Sequence, residues 1–436
     1  MSDEIRTADL FAGMGGIGLG FEQACADAGI PCRRVFSSEI KPSALSVLRQ
    51  NRPGEEISGD VREIDAASAP DFDFLLAGFP CQAFSYAGKR RGFEDARGTL
   101  FFEVARFLKE KSPFGFLLEN VEGLTVHDRT DKGSPTGRTL TAMLNILAEL
   151  GYETSWKVLD ASKFGVPQRR RRIYIVGTKA EAPDLEGFPE RTKTVGEILE
   201  RGLPTDGTPF ANLLLSRYSV EKLKGKSVKD KRGGSGNIHS WDLESKGPLT
   251  DAQKRLMNAV MTERRKKKWA EFYGIDWMDG MPLTLGMIRS FWTEDGDLET
   301  MLEDLTAKKY LKKEHPKRRT PDGRREQDPS LPLGYNVVTG KMSYEISEIL
   351  DPDGFAPTLT ASDMDRIRVV DGNGLRPLSL REGLRMFGYP ENYRFDVGRR
   401  DGFDLLGNTV AVPVIRDVSA RALDVHMRNA SDAGRV

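Results

Sequence analysis

The residues whose types and spacing suggest chemistry begin with Cys81, in the run Asp73-Phe-Leu-Leu-Ala-Gly-Phe-Pro-Cys-Gln-Ala-Phe-Ser85. Asp73 to Ala77 is apolar and of strand length, and Gly78 and Pro80 break it, so Cys81 is expected on a turn where a strand ends. Open α/β sheets put their ligands at such edges. Position alone leaves two readings. One is a buried, inert cysteine acting as a small hydrophobe. The other is a nucleophile, favoured by Pro80 fixing the backbone before it, by the polar Gln82 after it, and by Lys89, Arg90, Arg91 and Arg97 downstream. Nearby cations favour the thiolate, which is the attacking form.

Two more constellations fall at strand ends. Glu119 and Asn120 directly follow the apolar run Phe116–Leu118, where a carboxylate is costly unless it has a partner or a task. Gln168 to Arg172 is a polar, basic knot that enters the strand Ile173–Val176. Each has a plain reading alone, as a satisfied strand-end acid and as a surface cluster. A cysteine, a carboxylate and an arginine cluster at strand ends of one sheet argue together for a single site.

The elements that position them alternate. Ile5–Phe11 reads as a strand running into Gly13-Met-Gly15-Gly16-Ile-Gly18-Leu-Gly20, followed by a helix to about Ala28. Gly13, Gly15 and Gly18 satisfy the dinucleotide pattern G-x-G-x-x-G, and Glu39, after the strand Arg34–Ser38, stands where a ribose-binding acid belongs. The rival reading is that these glycines only permit a tight turn and close helix packing. A pyrophosphate prefers an uncluttered helix N-terminus, whereas Asp9 opens this loop and Asp60 ends the next expected strand. Carboxylates suit a cofactor with a cationic centre and hydroxyls, such as S-adenosylmethionine, better than NAD. Further helices are expected after Pro42, over Leu100–Leu108, and over Thr139–Leu150 with a stop at Gly151; Trp156–Leu159 is a further strand. The pattern is doubly wound α/β, with sheet order open.

At 436 residues the chain has room for two or three domains. It has no apolar run of spanning length, and Met1–Phe11 lacks the character of a signal peptide, so a soluble, cytoplasmic protein is expected. Cys25, Cys32 and Cys81 are an odd number without metal-ligand spacing, which argues against a disulfide framework and a zinc site. Lys plus Arg and Asp plus Glu each number 65, so bulk charge announces no nucleic-acid partner. Local charge does more, in the basic stretches Lys222–Arg232, Arg264–Lys268 and Lys308–Arg325. Beyond about Lys179 the sheet alternation stops, yet Trp241, Trp269, Trp277 and Trp292 argue for a folded domain rather than a disordered insertion. A helix carrying Arg264–Lys268 is expected from Asp251 through Phe272, where phosphate and base contacts could share one face.

At this point the chain resembles the DNA (cytosine-5)-methyltransferase family. Asp9-Leu-Phe-Ala-Gly-Met-Gly-Gly16 is similar to its cofactor loop and Gly78-Phe-Pro-Cys-Gln-Ala-Phe-Ser85 to its catalytic loop. Glu119-Asn-Val121, Gln168–Arg172, Arg376–Glu382 and Gly407-Asn-Thr-Val410 match its remaining hallmarks in order. The resemblance covers roughly residues 5–180 and 355–415. Departures are Ala83 where proline is usual, Phe387 where glutamine is common, and Ile40 where an aromatic residue often lies against adenine. The resemblance implies a Rossmann-like methyltransferase sheet over residues 1–180 and 404–436 and a second, smaller target-recognition domain over 181–403. It implies catalytic roles for Cys81, Glu119, Arg170 and Arg172. S-adenosyl-L-methionine would be held by Asp9, Phe11, Gly13, Gly16, Glu39, Ile40, Asp60, Val61, Pro80, Leu100, Asn408 and Val410. Thr358-Leu-Thr360 resembles the family's recognition-domain signature, and Gln82–Gly98 would be the lid over a flipped base.

The implied function is transfer of a methyl group to carbon 5 of a cytosine in double-stranded DNA. A cognate restriction endonuclease, a monomeric state and no membrane association are expected with it. A relative acting on transfer RNA and a catalytically silent DNA-binding relative are the alternatives. The long segment after Lys179 disfavours the first, and the intact Pro80-Cys81-Gln82 and Glu119-Asn120 disfavour the second.

Overall fold

The computed structural model of the protein describes residues 4–80, 100–129, 133–230, 233–234, 236–320, 323–339 and 344–433. Seven described strands form its main sheet: β1 (Ile5–Leu10), β2 (Cys32–Ser38), β3 (Ile57–Ser58), β4 (Phe74–Ala77), β5 (Gly115–Val121), β6 (Glu153–Asp160) and β7 (Arg171–Thr178). Their order is β3-β2-β1-β4-β5-β7-β6. The strands from β3 through β5 pair in parallel, and β7 runs antiparallel between β5 and β6.

Side-chain alternation along the central strands feeds two cores, one on each face. Leu75 and Ala77 of β4, Phe116 and Leu118 of β5, and Ile173 and Ile175 of β7 pack in one core with helices α3 (Leu100–Lys111) and α4 (Arg138–Glu149). Phe74, Leu76, Leu117, Tyr174 and Val176 pack in the other with α1 (Gly16–Asp27) and the helix Val412–Ala433. This is the doubly wound α/β sheet expected from the sequence. β1 has β2 on one side and β4 on the other, so the loops leaving β1 and β4 open a crevice at the point where strand order reverses.

Two compact units are present: Met1–Glu200 with Pro352–Asp365 and Leu378–Val436, and Arg201–Asp351 with Arg366–Pro377. The expected divisions at 180 and 404 differ from these. Residues 181–200 belong to the first unit without adding an α-helix or a strand to it, with Leu185 in its core and Arg191 exchanging backbone hydrogen bonds with Lys163 and Gly165. Residues 378–403 also belong there: Ser379 and Glu382 form a capping box at the start of Leu380–Arg385, and Glu382 accepts the Glu200 N–H at 2.8 Å. The compositional change at Lys179 marks the end of sheet alternation, not the end of packing.

In the second unit Trp241 is fully buried and Trp269 nearly so, in a core with Leu256, Val260, Met281, Ile288 and Leu302. The tryptophans therefore do mark a folded body. The helix expected over Asp251–Phe272 is two helices, Asp251–Glu263 and Lys268–Tyr273. At the break the Trp269 indole donates to the Glu263 carbonyl at 2.9 Å, and the Arg264 carbonyl accepts from Met281 N–H. Arg264 turns inward: it is 4 % exposed, binds Asn336 Oδ1, and burial depresses its pKa to about 10. It is thus withdrawn from the basic surface that the sequence led us to expect.

Candidate active site

The chain leaves β1 through a tight turn in which Phe11, Gly13 and Gly15 take left-handed φ values of 57°, 56° and 81°. Such values favour glycine, and the Gly15 N–H closes the turn on the Ala12 carbonyl at 2.7 Å. Glu39, just past β2, locks it. One carboxylate oxygen accepts the Gly13 N–H at 2.7 Å, and the other accepts those of Ile40 and Lys41 at 2.8 and 2.7 Å.

Around this turn lies a cavity of about 640 Å³ lined by Phe11, Gly13, Gly16, Glu39, Ile40, Asp60, Val61, Pro80, Leu100, Asn408 and Val410. These are the residues proposed from the sequence for the cofactor, with one exception. Asp9 does not line the cavity. Its carboxylate is fully buried in the sheet, 3.6 Å from the guanidinium of Arg34, which also reaches Glu22 at 3.1 Å. Burial pushes Asp9 up to about 6, with Arg34 pulling it back. Asp60 stands at the cavity with its carboxylate already held by Arg62, at 2.9 and 3.1 Å from Nε. Those hydrogen bonds keep its pKa below the usual carboxylate value.

Arg34 gave no signal in the sequence, because an arginine in a short strand reads as surface. Its removal leaves a buried carboxylate unpaired, which costs about 3–5 kcal/mol. Asp9's folded pKa lies above its unfolded value, so its contribution to stability is fully present below about pH 4 and is lost as pH rises through about 6. Arg34→Met removes the cation that limits this loss. We expect its destabilisation, read by urea unfolding, to be larger at pH 8 than at pH 5.

Glu119, Arg170 and Arg172 line the same cavity. Glu119 sits on β5 opposite Tyr174 of β7, and Asn120 opposite Ile173. The Asn120 side-chain amide donates to the Phe79 carbonyl at 3.1 Å, and Asn120 Oδ1 accepts the Val121 N–H at 2.8 Å. That clasp fixes the chain two residues before Cys81. Cys81 and the expected lid Gln82–Gly98 lie outside the described residues.

Burial raises the Glu119 pKa, and Arg172 and then Arg170 oppose the rise; Arg172 Nε is 3.3 Å from Glu119 Oε1. The two arginines, alike in sequence, have different situations. Arg170 is buried and donates to the carbonyls of Leu359 and Thr409 at 3.2 and 2.7 Å, which ties these loops to the knot. Burial and then Arg172 lower its pKa to about 10. Arg172 is the one whose guanidinium accompanies the acid. Thr358-Leu-Thr360 packs on this knot within the first unit, with Thr358 Oγ1 donating to the Arg169 carbonyl at 2.7 Å.

A profile of the C-5 cytosine-specific DNA methylases matches residues 5–423. The chain belongs to that family. As a C-5 cytosine-specific DNA methylase it is a DNA (cytosine-5)-methyltransferase, and the cavity just described is where its hallmark residues converge. It is 57% identical over 420 residues to the Type II methyltransferase M.NlaIV of Neisseria lactamica, covering 96% of this chain and 99% of that one. It is 39% identical over 440 residues to the Type II methyltransferase M.BanI of Aneurinibacillus aneurinilyticus, covering 95% of each. Among solved structures, the Entamoeba histolytica methyltransferase EhMeth shares the fold, with a TM-score of 0.51 at 13% identity over 98% of this chain and 99% of that one. No described helix is long and apolar enough to cross a membrane.

Proposed function

We propose that this methylase is the modification enzyme of a Type II restriction-modification system. In this reading it methylates carbon 5 of a flipped-out cytosine in duplex DNA through a covalent Cys81 adduct. The observation that carries the reading is the wall formed by Glu119, Arg172 and the Asn120–Phe79 clasp, a buried acid beside the chain that leads into Cys81. Near-full-length relatives named Type II methyltransferases support the biological setting.

S-adenosyl-L-methionine fits the cavity, whose walls pair apolar Phe11, Ile40, Val61, Leu100 and Val410 with the carboxylate of Glu39. When bound, it supplies a methyl group on a sulfonium. The remaining chemistry belongs to the chain. Carbon 5 of cytosine is too weak a nucleophile alone, so the Cys81 thiolate adds to carbon 6, forming a C–S bond and giving carbon 5 enamine character. The Glu119 carboxyl donates to N3 as charge develops there, and Arg172 holds the ring O2. Carbon 5 takes the methyl group, a base or water removes its proton, and the C–S bond breaks to restore the thiolate. The target carbon is inaccessible in a stacked duplex, so the cytosine is flipped, as is general for base-modifying methyltransferases. Tritium transfer from labelled cofactor to duplex DNA tests the reading, and bisulfite sequencing of DNA from expressing cells maps the site. Label appearing in transfer RNA, or in no nucleic acid, would overturn it.

Sequence readout belongs, in this reading, to the second unit. There the stretches around residues 265 and 325, distant in sequence, meet at a half-exposed indole: Trp277 Nε1 donates to the Arg265 carbonyl, and Arg325 donates to the Trp277 carbonyl, each at 2.9 Å. Cations there contact phosphates and set salt dependence, while base-edge contacts fix sequence. Exchanging residues 201–351 for the matching segment of a relative with another target is expected to transfer that relative's specificity. A folded, active hybrid that still methylates the original site would place readout elsewhere. A cognate endonuclease of the same specificity and a monomeric enzyme complete the proposal.

A further inference from the structure

Two tyrosines outside the cavity are joined to both of its glycine-bearing rims. Tyr389 and Tyr393, in the segment after Leu380–Arg385, are 4 % and 7 % exposed. Their rings meet at 4.7 Å and 60°. The Tyr393 hydroxyl donates to the carbonyl of Met14, inside the turn held from its other side by Glu39. The Tyr389 hydroxyl is 2.6 Å from Thr409 Oγ1, between Asn408 and Val410. A Cβ on Gly16 would stand 2.4 Å from that same hydroxyl and 2.9 Å from Val410. Met14, Gly16, Thr409 and Val410 line the cavity; neither tyrosine does.

Packing alone would be served by phenylalanine, since a buried hydroxyl is costly without a partner. Here each hydroxyl has one, and each partner belongs to a different rim. Burial raises both phenol pKa values, so both remain protonated. The segment is itself anchored: Asn51 of α2 (Pro42–Asn51) donates to the Arg394 carbonyl and accepts its N–H, at 2.8 and 2.9 Å.

We propose that Tyr389 and Tyr393 are positioning residues that brace the Gly13–Gly16 turn and the Asn408–Val410 loop against one another, setting the separation the cofactor requires. This rests on the reading that the cavity takes S-adenosylmethionine. It assigns part of cofactor affinity to residues that never touch the cofactor.

The test uses Tyr389→Phe and Tyr393→Phe in the full chain, which keep the rings and remove only the hydroxyls. The expected result for each is about tenfold weaker S-adenosylmethionine binding by calorimetry, which corresponds to about 1.4 kcal/mol. KM for the cofactor rises in step, while kcat at saturating cofactor, KM for DNA and the melting temperature stay near wild type. Unchanged cofactor affinity in both variants overturns the proposal. So does a parallel decline of cofactor affinity, DNA affinity and melting temperature, because a merely structural role moves all three. Wild-type protein that fails to bind S-adenosylmethionine refutes the cavity assignment; wild-type binding matched by both variants refutes only the brace.

Discussion

Cys81→Ala is expected to abolish methyl transfer while leaving cofactor binding and the fold in place. Without thiolate addition at carbon 6, carbon 5 has no enamine character, and no cysteine stands among the described residues of the cavity wall to replace it. In the proposed mechanism Glu119 and Arg172 polarise the ring but form no bond to it. A fall of at least about 10⁴-fold in kcat is expected, a barrier increase of at least about 5.4 kcal/mol. The fold is spared because the strand that delivers the residue is complete before it: Phe74–Ala77 is buried on both faces, and Asn120 holds the Phe79 carbonyl independently of residue 81. DNA carrying 5-fluorocytosine at the target gives the sharper measurement. Fluorine cannot leave as a proton does, so the wild-type enzyme should remain covalently attached through a C–S bond. Trapping that persists in Cys81→Ala would falsify the assignment of the nucleophile.

Much of the first unit was legible because its chemistry is local. A strand that ends at Gly78 and Pro80, a turn that needs left-handed glycines, and an acid after three apolar residues each announce themselves within a few positions. Contacts made at long range were not legible. Asp9 looked like a ligand of the cofactor because it opens the glycine turn, but its position on β1 sends it to Arg34, which also holds Glu22, inside the sheet. Arg170 and Arg172 are two positions apart where the chain enters β7, and nothing in Gln168–Arg172 tells which one is taken by carbonyls from residues 359 and 409. The Asp251–Phe272 helix failed for a related reason. Helical periodicity continues through Arg264, but that residue caps the helix and its side chain and carbonyl are taken by Asn336 and the Met281 N–H, both beyond any local window. Nothing near Tyr389 or Tyr393 in the sequence points to their partners Thr409 and Met14 either.

Glu119→Gln is expected to reduce kcat by about 10²–10³-fold, the range for losing a preorganised group aimed at developing charge. Glutamine still presents an N–H but cannot hold a transferable proton against N3. The pH dependence separates these roles. In the proposed mechanism Glu119 works as the protonated acid, and burial raises its pKa while Arg172, the larger of two opposing cations, restrains the rise. Raising the pH through that value ionises the carboxyl and removes the donor, so the wild-type rate should decline along an alkaline limb. Arg172→Met removes the restraining cation at 3.3 Å, so Glu119 should hold its proton to higher pH. The limb should move up in pH, even as the plateau rate falls for want of a partner to the ring O2. Stability has its own sign. A buried acid with a raised folded pKa contributes fully below its unfolded value and loses that contribution as pH rises through the folded one. Arg172→Met should therefore be increasingly destabilised relative to wild type on the alkaline side, and adding Glu119→Gln should remove that pH dependence. An alkaline limb that stays in place or moves down in Arg172→Met would show that another group titrates, and would withdraw from Glu119 the role of proton donor to the ring.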